Sequence, residues 1–563
     1  MDSEFTIDEQ KILQPFVTNL DKPIFALRNM PEVVMGALFS RYSRTTKSLR
    51  RVLLDEFIQN KEMGFSEIVA FSGGDESGQI IATQKAEEFY DRVLVGYGDD
   101  SVAELGGAHI ACEEVSNIAA KALEDARIGL SPLEKSTRYV YFNQKKDGKY
   151  QYFREGKIAE LNSFDEYIRA NDFLFGTYSN LLEKMTKFEM ERFPKGADAT
   201  DRAYQATIRA KVCDVLRGLL PASAKTNVGL FGNGRAFEYL ILKMYANELS
   251  EMPQIAQTMQ EELSKVIPSF VKRANDNYGK ATQNYLSKTR DGMKKLALEM
   301  GVESEVGFNG EENPQYPIPT PNASFQKEVS LVDFDADAQE KVISAMLYPY
   351  SNLPLRSLKE KVKSLDALAR KKIIAEYMGR RQNRRHKPGR ALENAHYTFD
   401  ILANFGQYRD LQRHRMLTQE RQYLSCRHGY DLPKELVEAG YDSQFKEAMD
   451  VAKQTWVKME KESPAYAQYV VPLAYKMRWY ISMNLREVAH LTELRSMQQG
   501  HADYRRVAQN IYLEVKRVHP EFAEYIKFVD MKEYGLERLE SEKKIDRKLA
   551  EISKKYAQTD PQK

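Results

Sequence analysis

The sequence predicts an α/β (α+β) chain made of two tandem, related domains, each a mixed sheet with many helices. Three observations carry this expectation. Similar landmarks occur twice in the same order. Runs such as HYTFDIL and TRYVYF read as strands set among longer helical patterns. The segment GVESEVGFNGEENPQYPIPTPNASFQ, rich in Gly, Pro, Asn and acid, has linker chemistry and separates the halves. The expected boundaries are a first domain at 1–305, a linker at 306–325, a second domain at 326–530 and a charged, solvated helical tail at 531–563.

The elements recur in order. KPIFALRNMPEVVMGALFSRYSRTTKSLRRV reads as a short apolar strand, an amphipathic helix and a Tyr-Ser turn, and EVSLVDFDADAQEKVISAMLYPYSNLPLRSLKEKV, from Glu328, repeats that order. Next, YGDDSVAELGGAHIACEEVSNIAAKALEDARIGLSPLEKSTRYVYF is matched by HKPGRALENAHYTFDILANFGQYRDLQRHRMLTQERQYLSCRHGYDLP. Both run from a Glu through an apolar stretch into a polar Arg/Ser-rich loop and a Tyr-containing segment. Finally, VLRGLLPASAKTNVGLFGNGRAFEYLILKMYANELSEM and YVVPLAYKMRWYISMNLREVAHLTELRSMQQGHADYRR each place a Pro after an apolar run. An Asn-x-Arg follows (Asn233/Arg235 and Asn484/Arg486), and then a long helical pattern.

Composition narrows the class. A chain of 563 residues, 42% hydrophobic and 11% aromatic, can bury cores in two domains, while 29% charged residues keep its surface wet. Net charge is +2, so any basic patch is local. Cys112, Cys213 and Cys426 are far apart and form no CxxC, which fits a reducing compartment and no Cys-rich zinc site. The acidic start MDSEFTIDEQ lacks the apolar core of a secretory signal, and no apolar run is long enough to span a membrane. The expected location is cytoplasmic.

The densest polar constellation is Arg413-His414-Arg415. Residues two apart on a helix point to opposite sides, so the two arginines serve one ligand only at a helix end, where each can grip an anionic group. A solvated basic turn is the plainer alternative. In the first copy, Ser131-x-x-Glu134 with Pro132 reads as a helix capping box. Its functional alternative is a phosphate cradle built from Ser136, Arg138 and nearby backbone N–H groups. The basic run GRRQNRRHKPGR (379–390) suits nucleic acid or a phosphorylated cofactor as readily as a solvated loop. FGNGR (231–235) is too short for a dinucleotide fingerprint and GGDESG (73–78) reads as a turn. His386, His396, His490 and His501 have no metal-ligand spacing, and no metal is expected.

These residues resemble the flavin-dependent thymidylate synthases. That family's signature is RHR, two residues, Ser, one residue, Asn-Glu, one residue, Ser, one residue, Arg-Tyr, followed later by Leu-Pro, Asn-x-Arg, and a Leu-Arg before a His. The second copy carries the full RHR and then Thr418 for the Ser, with Glu420 and Arg421 at the Asn-Glu positions and Ser425-Cys426-Arg427 displaced by two. The first copy has Ala126-Arg127-Ile128 for RHR but keeps Ser131, Glu134, Ser136, Arg138 and Tyr139 at the family spacing, with Leu133 for the Asn. Arg217 matches a phosphate-binding arginine of the family where the second copy has Gln468, and Arg495 matches the catalytic arginine where the first copy has Met244. Asp99 replaces a flavin-contacting His, Asp410 replaces a Gln, and Arg495 and His501 stand two residues further apart than in the family.

The resemblance implies an FAD-dependent reductive methylation of dUMP to dTMP, with methylenetetrahydrofolate and NAD(P)H as co-substrates. In the family, neighbouring chains share each site. Here the losses sort so that one composite site per chain survives, and two chains would form a homodimeric pseudo-tetramer. The implied catalytic residue is Arg495. The implied cofactor contacts are Ser101, Glu134, Asn233, Arg235, Arg413, His414 and Arg415. The implied substrate contacts are Glu134, Ser136, Thr137, Arg138, Arg217, Arg413 and Arg495. The alternatives are a related flavoenzyme on another pyrimidine nucleotide, or a non-catalytic relative binding nucleotide or RNA through residues 379–390, although nucleic acid is not the expected partner.

Overall fold

A computed structural model describes residues 4–60, 102–301 and 327–557. The expected linker (306–325), the GGDESG turn, Asp99 and Ser101 lie outside the described residues. Two compact units are present, one from Met1–Val115, Ala119–Glu134 and Thr226–Ser304, the other from Ser116–Ile118, Lys135–Lys225 and Glu305–Lys563.

The first unit holds a three-stranded sheet in the order Gly107–Ser116, Lys225–Asn233, Leu130–Glu134. The central strand alternates strictly, with Thr226, Val228 and Leu230 buried and Asn227, Gly229 and Phe231 exposed, the period of a half-buried strand. Helices Gly234–Tyr245, Glu251–Leu263 and Asn277–Glu299 accompany it. The second unit holds a four-stranded sheet in the order Val329–Phe334, His396–Asn404, Lys476–Asn484, Leu417–Arg421, with every neighbouring pair antiparallel. Long helices Phe164–Arg192 and Asp442–Glu462 pack together in the same unit.

The duplication extends to strand register. Leu130 pairs with Gly232, one residue before Asn233, and Leu417 pairs with Met483, one residue before Asn484. Both sheets place the later strand between the two earlier ones. The second copy adds Val329–Phe334 at the edge. In the first copy the expected strand within KPIFALR is reduced to one bridge, Val17 to Leu27.

Three local expectations give way. Ser131–Glu134 is no helix cap: Leu130–Glu134 is an edge strand, where Pro132 lacks only a donor that need not be paired. TRYVYF is a turn rather than a strand, because Tyr139 and Val140 both donate to the Ser136 carbonyl (3.3 Å each) and Arg138 is drawn to a carboxylate on a neighbouring helix. The tail is not wholly solvated. Glu537, Arg538, Glu542 and Lys543 are buried: the tail meets helix Asp201–Leu216 through Arg202 to Glu542 (3.0 Å), and Arg538 lies over the Tyr139 ring in the turn after Ser136 (3.9 Å).

Within the second unit the two Leu/Val-Pro segments pair with each other. Ala222 N–H donates to Val471 (2.8 Å) and Leu473 N–H to Leu220 (2.9 Å); Ser223 N–H donates to Tyr469 (2.9 Å) and Ala474 N–H to Gly218 (3.0 Å). No helix among the described residues is long and apolar enough to cross a membrane.

Candidate active site

Five local structures of the second unit deliver the side chains. Helix Asp201–Leu216, capped by Thr200 Oγ1, carries Asp214 in its last turn and passes into the short turn of Arg217. The turn after Ser136 carries Arg138. Helix Phe405–Leu411, capped by the Asn404 side chain, carries Asp410 and releases Arg413-His414-Arg415 at its end, as expected for a helix terminus. Helix Leu485–Arg495, capped by Asn484, carries Glu487 in its first turn and Arg495 in its last. His501 caps helix Ala502–Val518, whose first turn carries Tyr504.

Arginines from both copies converge here. Arg138 is buried, and its Nε and Nη2 each donate to Asp214 at 2.7 Å, a bidentate pair. Its Nη1 donates to the Tyr504 hydroxyl at 3.1 Å, and Arg495 lies over the same ring at 5.9 Å from its centroid. Arg217 Nη1 reaches Asp410 Oδ2 at 3.2 Å, while its buried Nη2 has no hydrogen-bond partner among the described residues. Burial would raise the Asp410 carboxyl, but the guanidiniums of Arg217, Arg138, Arg413 and Arg495 overcome it and hold the group well below the usual carboxylate range. Asp214 is likewise held low, against burial, by Arg138, His501 and Arg217. Asp214, Arg217 and His501 also line a cavity of about 460 Å³ that extends past Asn404, Asp431 and Asp503.

A second polar chain runs beside the first. Buried His414 places Nδ1 2.6 Å from Glu487 Oε1, and Arg495 Nε donates to His414 Nε2 at 2.9 Å. His490, one turn beyond Glu487, meets the Lys387 ammonium, and burial pushes its imidazole down to about 4. His414, Glu487 and His490 together have the composition of a metal site, with candidate ligand atoms within 4.8 Å of one another. Two cationic side chains, Arg495 and Lys387, already contact its imidazoles.

The structure therefore gathers Arg138, Arg217, Arg413 and Arg495, with His414 behind Arg495. Thr137 is buried and accepts from Arg409 (3.4 Å), and the Ser136 hydroxyl accepts from Arg138 N–H (3.2 Å). Arg413 and Arg415 are exposed. Other expected contacts belong to the first unit and are engaged there. Glu134 forms a buried pair with Lys121 (3.0 Å), Asn233 caps helix Gly234–Tyr245 (2.9 Å), and Arg235 meets Glu104 (2.8 Å). The second copy repeats that last arrangement, with Asn484 as cap (2.9 Å) and Arg486 on Glu393 (2.8 Å). Counting from Leu130 and Leu417, positions 121 and 134 match 408 and 421, where Arg421 donates to the Tyr408 hydroxyl at 2.8 Å. One contact thus survives with its chemistry exchanged. Two arginines of the basic run 379–390 are paired with carboxylates: Arg381 is buried on Glu493 (2.9 Å), and exposed Arg390 meets Glu393 (3.1 Å).

Sequence reasoning missed Asp214, Tyr504 and Glu487. Asp214 stands three residues before Arg217, a helical spacing that places both on one face. Glu487 was hidden by its position, since Asn484-x-x-Glu487 reads as an ordinary helix start.

The chain matches the family model described as thymidylate synthase complementing protein over residues 51–269 and again over 330–521. It is 43% identical over 543 residues to a UPF0159 protein of Chlamydia muridarum, covering 96% of this chain and 98% of that one. A UPF0159 protein of Thermoplasma acidophilum is 32% identical over 533 residues, covering 90% and 97%. Among solved structures, a UMP/dUMP methylase from Streptomyces cacaoi bound with 5-Br dUMP aligns at 18% identity and a TM-score of 0.28, over 35% of this chain and 93% of that one. The repeated sheet register, the repeated Asn-x-Arg caps and the two matched segments agree: the chain belongs to the thymidylate synthase complementing protein family, with that module present twice.

Proposed function

We propose that this protein is a flavin-dependent thymidylate synthase. The reaction is dUMP + methylenetetrahydrofolate + NAD(P)H + H⁺ → dTMP + tetrahydrofolate + NAD(P)⁺, at a site composed from both copies, in a homodimer that carries two such sites. The observation that carries this reading is the convergence of Arg138 and Arg217 from the first copy with Arg413 and Arg495 from the second around Asp410. Family membership supports an enzyme of the thymidylate synthase type.

The donor set fits a flavin dinucleotide at the exposed end of helix Phe405–Leu411, where the guanidiniums of Arg413 and Arg415 suit a pyrophosphate. The flavin supplies the redox and one-carbon chemistry. The protein's part is binding and polarisation. Arg217 offers its Nη2, which has no hydrogen-bond partner among the described residues, and Arg413 adds positive charge for the nucleotide phosphate, while Asp214 holds Arg138 beside them. Substitution at C5 requires electron density there, with negative charge developing at N3 and O4 of the uracil. Arg495 keeps its proton, so it serves as a fixed electrostatic partner for that charge and not as a base. Among the described residues only its Nε is hydrogen-bonded, which leaves both terminal nitrogens for the ring. Asp410 favours one related reading, a different pyrimidine nucleotide, because it adds negative charge among the phosphate-binding arginines.

The test is a visible spectrum of the purified protein with FAD added, then titration with dUMP and product analysis. The reading expects a flavin spectrum perturbed by dUMP, dTMP as product, and loss of turnover with FAD retained in Arg495→Ala. A folded protein that takes up no flavin overturns it.

A further inference from the structure

The Arg495 guanidinium is held by something that the expected roles did not include. Its Nε always carries hydrogen, so the 2.9 Å contact with His414 Nε2 requires a lone pair on that nitrogen. A neutral imidazole that accepts at Nε2 must carry its proton on Nδ1. That Nδ1 lies 2.6 Å from Glu487 Oε1, so Glu487 accepts the proton's hydrogen bond and selects the tautomer. With the other tautomer, two N–H groups would face each other between His414 and Arg495. Glu487 is itself fixed, because its backbone N–H is capped by the Asn484 side chain at 2.9 Å in the first turn of the helix that ends with Arg495. His414 and Glu487 are both buried, at 4% and 6% exposed, so water does not compete for these bonds.

We infer that Glu487 is a positioning residue for Arg495, acting through the tautomer of His414. What Arg495 then does rests on the methyl-transfer reading above; how it is held rests on the geometry alone. His414 changes role accordingly, from a flavin contact to the support of an arginine. The competing use of the same atoms is a divalent cation held by His414, Glu487 and His490. It is disfavoured because Arg495 and Lys387 already present positive charge to both rings.

The experiment uses the full chain with ¹⁵N-labelled histidine, as wild type, Glu487→Leu and Glu487→Gln, with His414→Asn to assign the signal. Long-range proton–nitrogen spectra report which ring nitrogen carries hydrogen. The expected result is Nδ1–H in the wild type and in Glu487→Gln, whose amide oxygen still accepts, and Nε2–H or a mixture in Glu487→Leu. Turnover in Glu487→Leu falls by about 10- to 100-fold in kcat, with KM for dUMP nearly unchanged, as misplacement of one group without loss of binding requires. Glu487→Gln recovers most of it. Nε2–H in the wild type, a tautomer unchanged by Glu487→Leu, or stoichiometric zinc in the isolated protein overturns the inference. A wild type with the expected tautomer but no dTMP product defeats the synthase reading and leaves the positioning intact.

Discussion

Pro221 and Pro472 pair with each other across an antiparallel bridge, and each is the counterpart of the other in its own copy. The backbone bonds on either side are reciprocal: 222 to 471 is answered by 473 to 220, and 223 to 469 by 474 to 218. Self-complementary contact of this kind is what a two-fold dimer interface produces. Here one chain supplies both sides of it. Immediately next to the seam, Arg217 follows helix Asp201–Leu216 and its counterpart Gln468 accepts from Leu424 N–H at 3.1 Å. The charged member of that pair lies on the side with Asp410 and Arg138.

Reciprocity gives a matched pair of predictions. Ala222→Pro removes the donor to Val471, and Leu473→Pro removes the donor to Leu220. Each is expected to cost roughly 2 kcal/mol, for a lost hydrogen bond and a carbonyl left without its partner. Urea unfolding followed by circular dichroism measures both. Unequal effects would show that the two sides of the seam are not energetically equivalent.

Asp214→Asn should destabilise the second unit by about 3–5 kcal/mol, because it leaves the Arg138 charge buried without its bidentate partner. The double variant Arg138→Met/Asp214→Leu should be more stable than Asp214→Asn, since no charge is then buried unpaired. A double variant as unstable as the single would place the cost in packing instead.

Asp410→Asn removes a carboxylate from among four guanidiniums. The affinity for dUMP and for inorganic phosphate is expected to rise by about tenfold, near 1.4 kcal/mol, measured by titration calorimetry. Unchanged phosphate affinity would mean that no anion binds beside Asp410.

Acid sensitivity should begin above the carboxylate range. Burial pushes His428 and His490 down to about 4 in the folded protein, with Arg478 and Arg427 adding to the effect on His428. Both groups take up protons more readily when unfolded. Their stabilisation is therefore full above pH 6.5, is lost as pH falls from 6.5 to 4, and levels off below, at up to about 3 kcal/mol for the more deeply buried His428 and less for His490, which solvent partly screens. Asp214 and Asp410, held low in the folded state, add a further loss below pH 4. Between pH 6.5 and 4 the melting temperature should fall less steeply in His428→Gln than in the wild type, with Glu189, which burial pushes up to about 7, opposing the fall in both.

The duplication was legible because ordered landmarks survive substitution: Asn233 and Asn484 cap equivalent helices, and Glu104 and Glu393 hold equivalent arginines. The union of Arg138 and Arg217 with Arg495 was also legible, from the way losses divide between the copies. What the sequence could not reveal is which arginines are already neutralised. Arg138 reads as a phosphate ligand until Asp214, 76 residues away, is brought against it by a buried helix. Glu134 is engaged in the same way, because its partner Lys121 lies across a strand–helix junction with nothing in the local pattern to mark it. Pro132 was read as a helix start because its preference for that position is strong, and its tolerance of an edge strand emerges only from sheet order.

The reciprocal seam has a consequence for how such a chain can change. In an assembly of identical subunits, one substitution alters every site at once. With both partners encoded in tandem, each is free to drift alone, and a residue lost from one can be supplied by the other. The arrangement is not reversible by simple deletion, since a gene cut back to either repeat would encode Arg217 without Arg495, or Arg495 without Arg217. Two separately damaged alleles, one per repeat, would rescue each other only if their products exchanged halves.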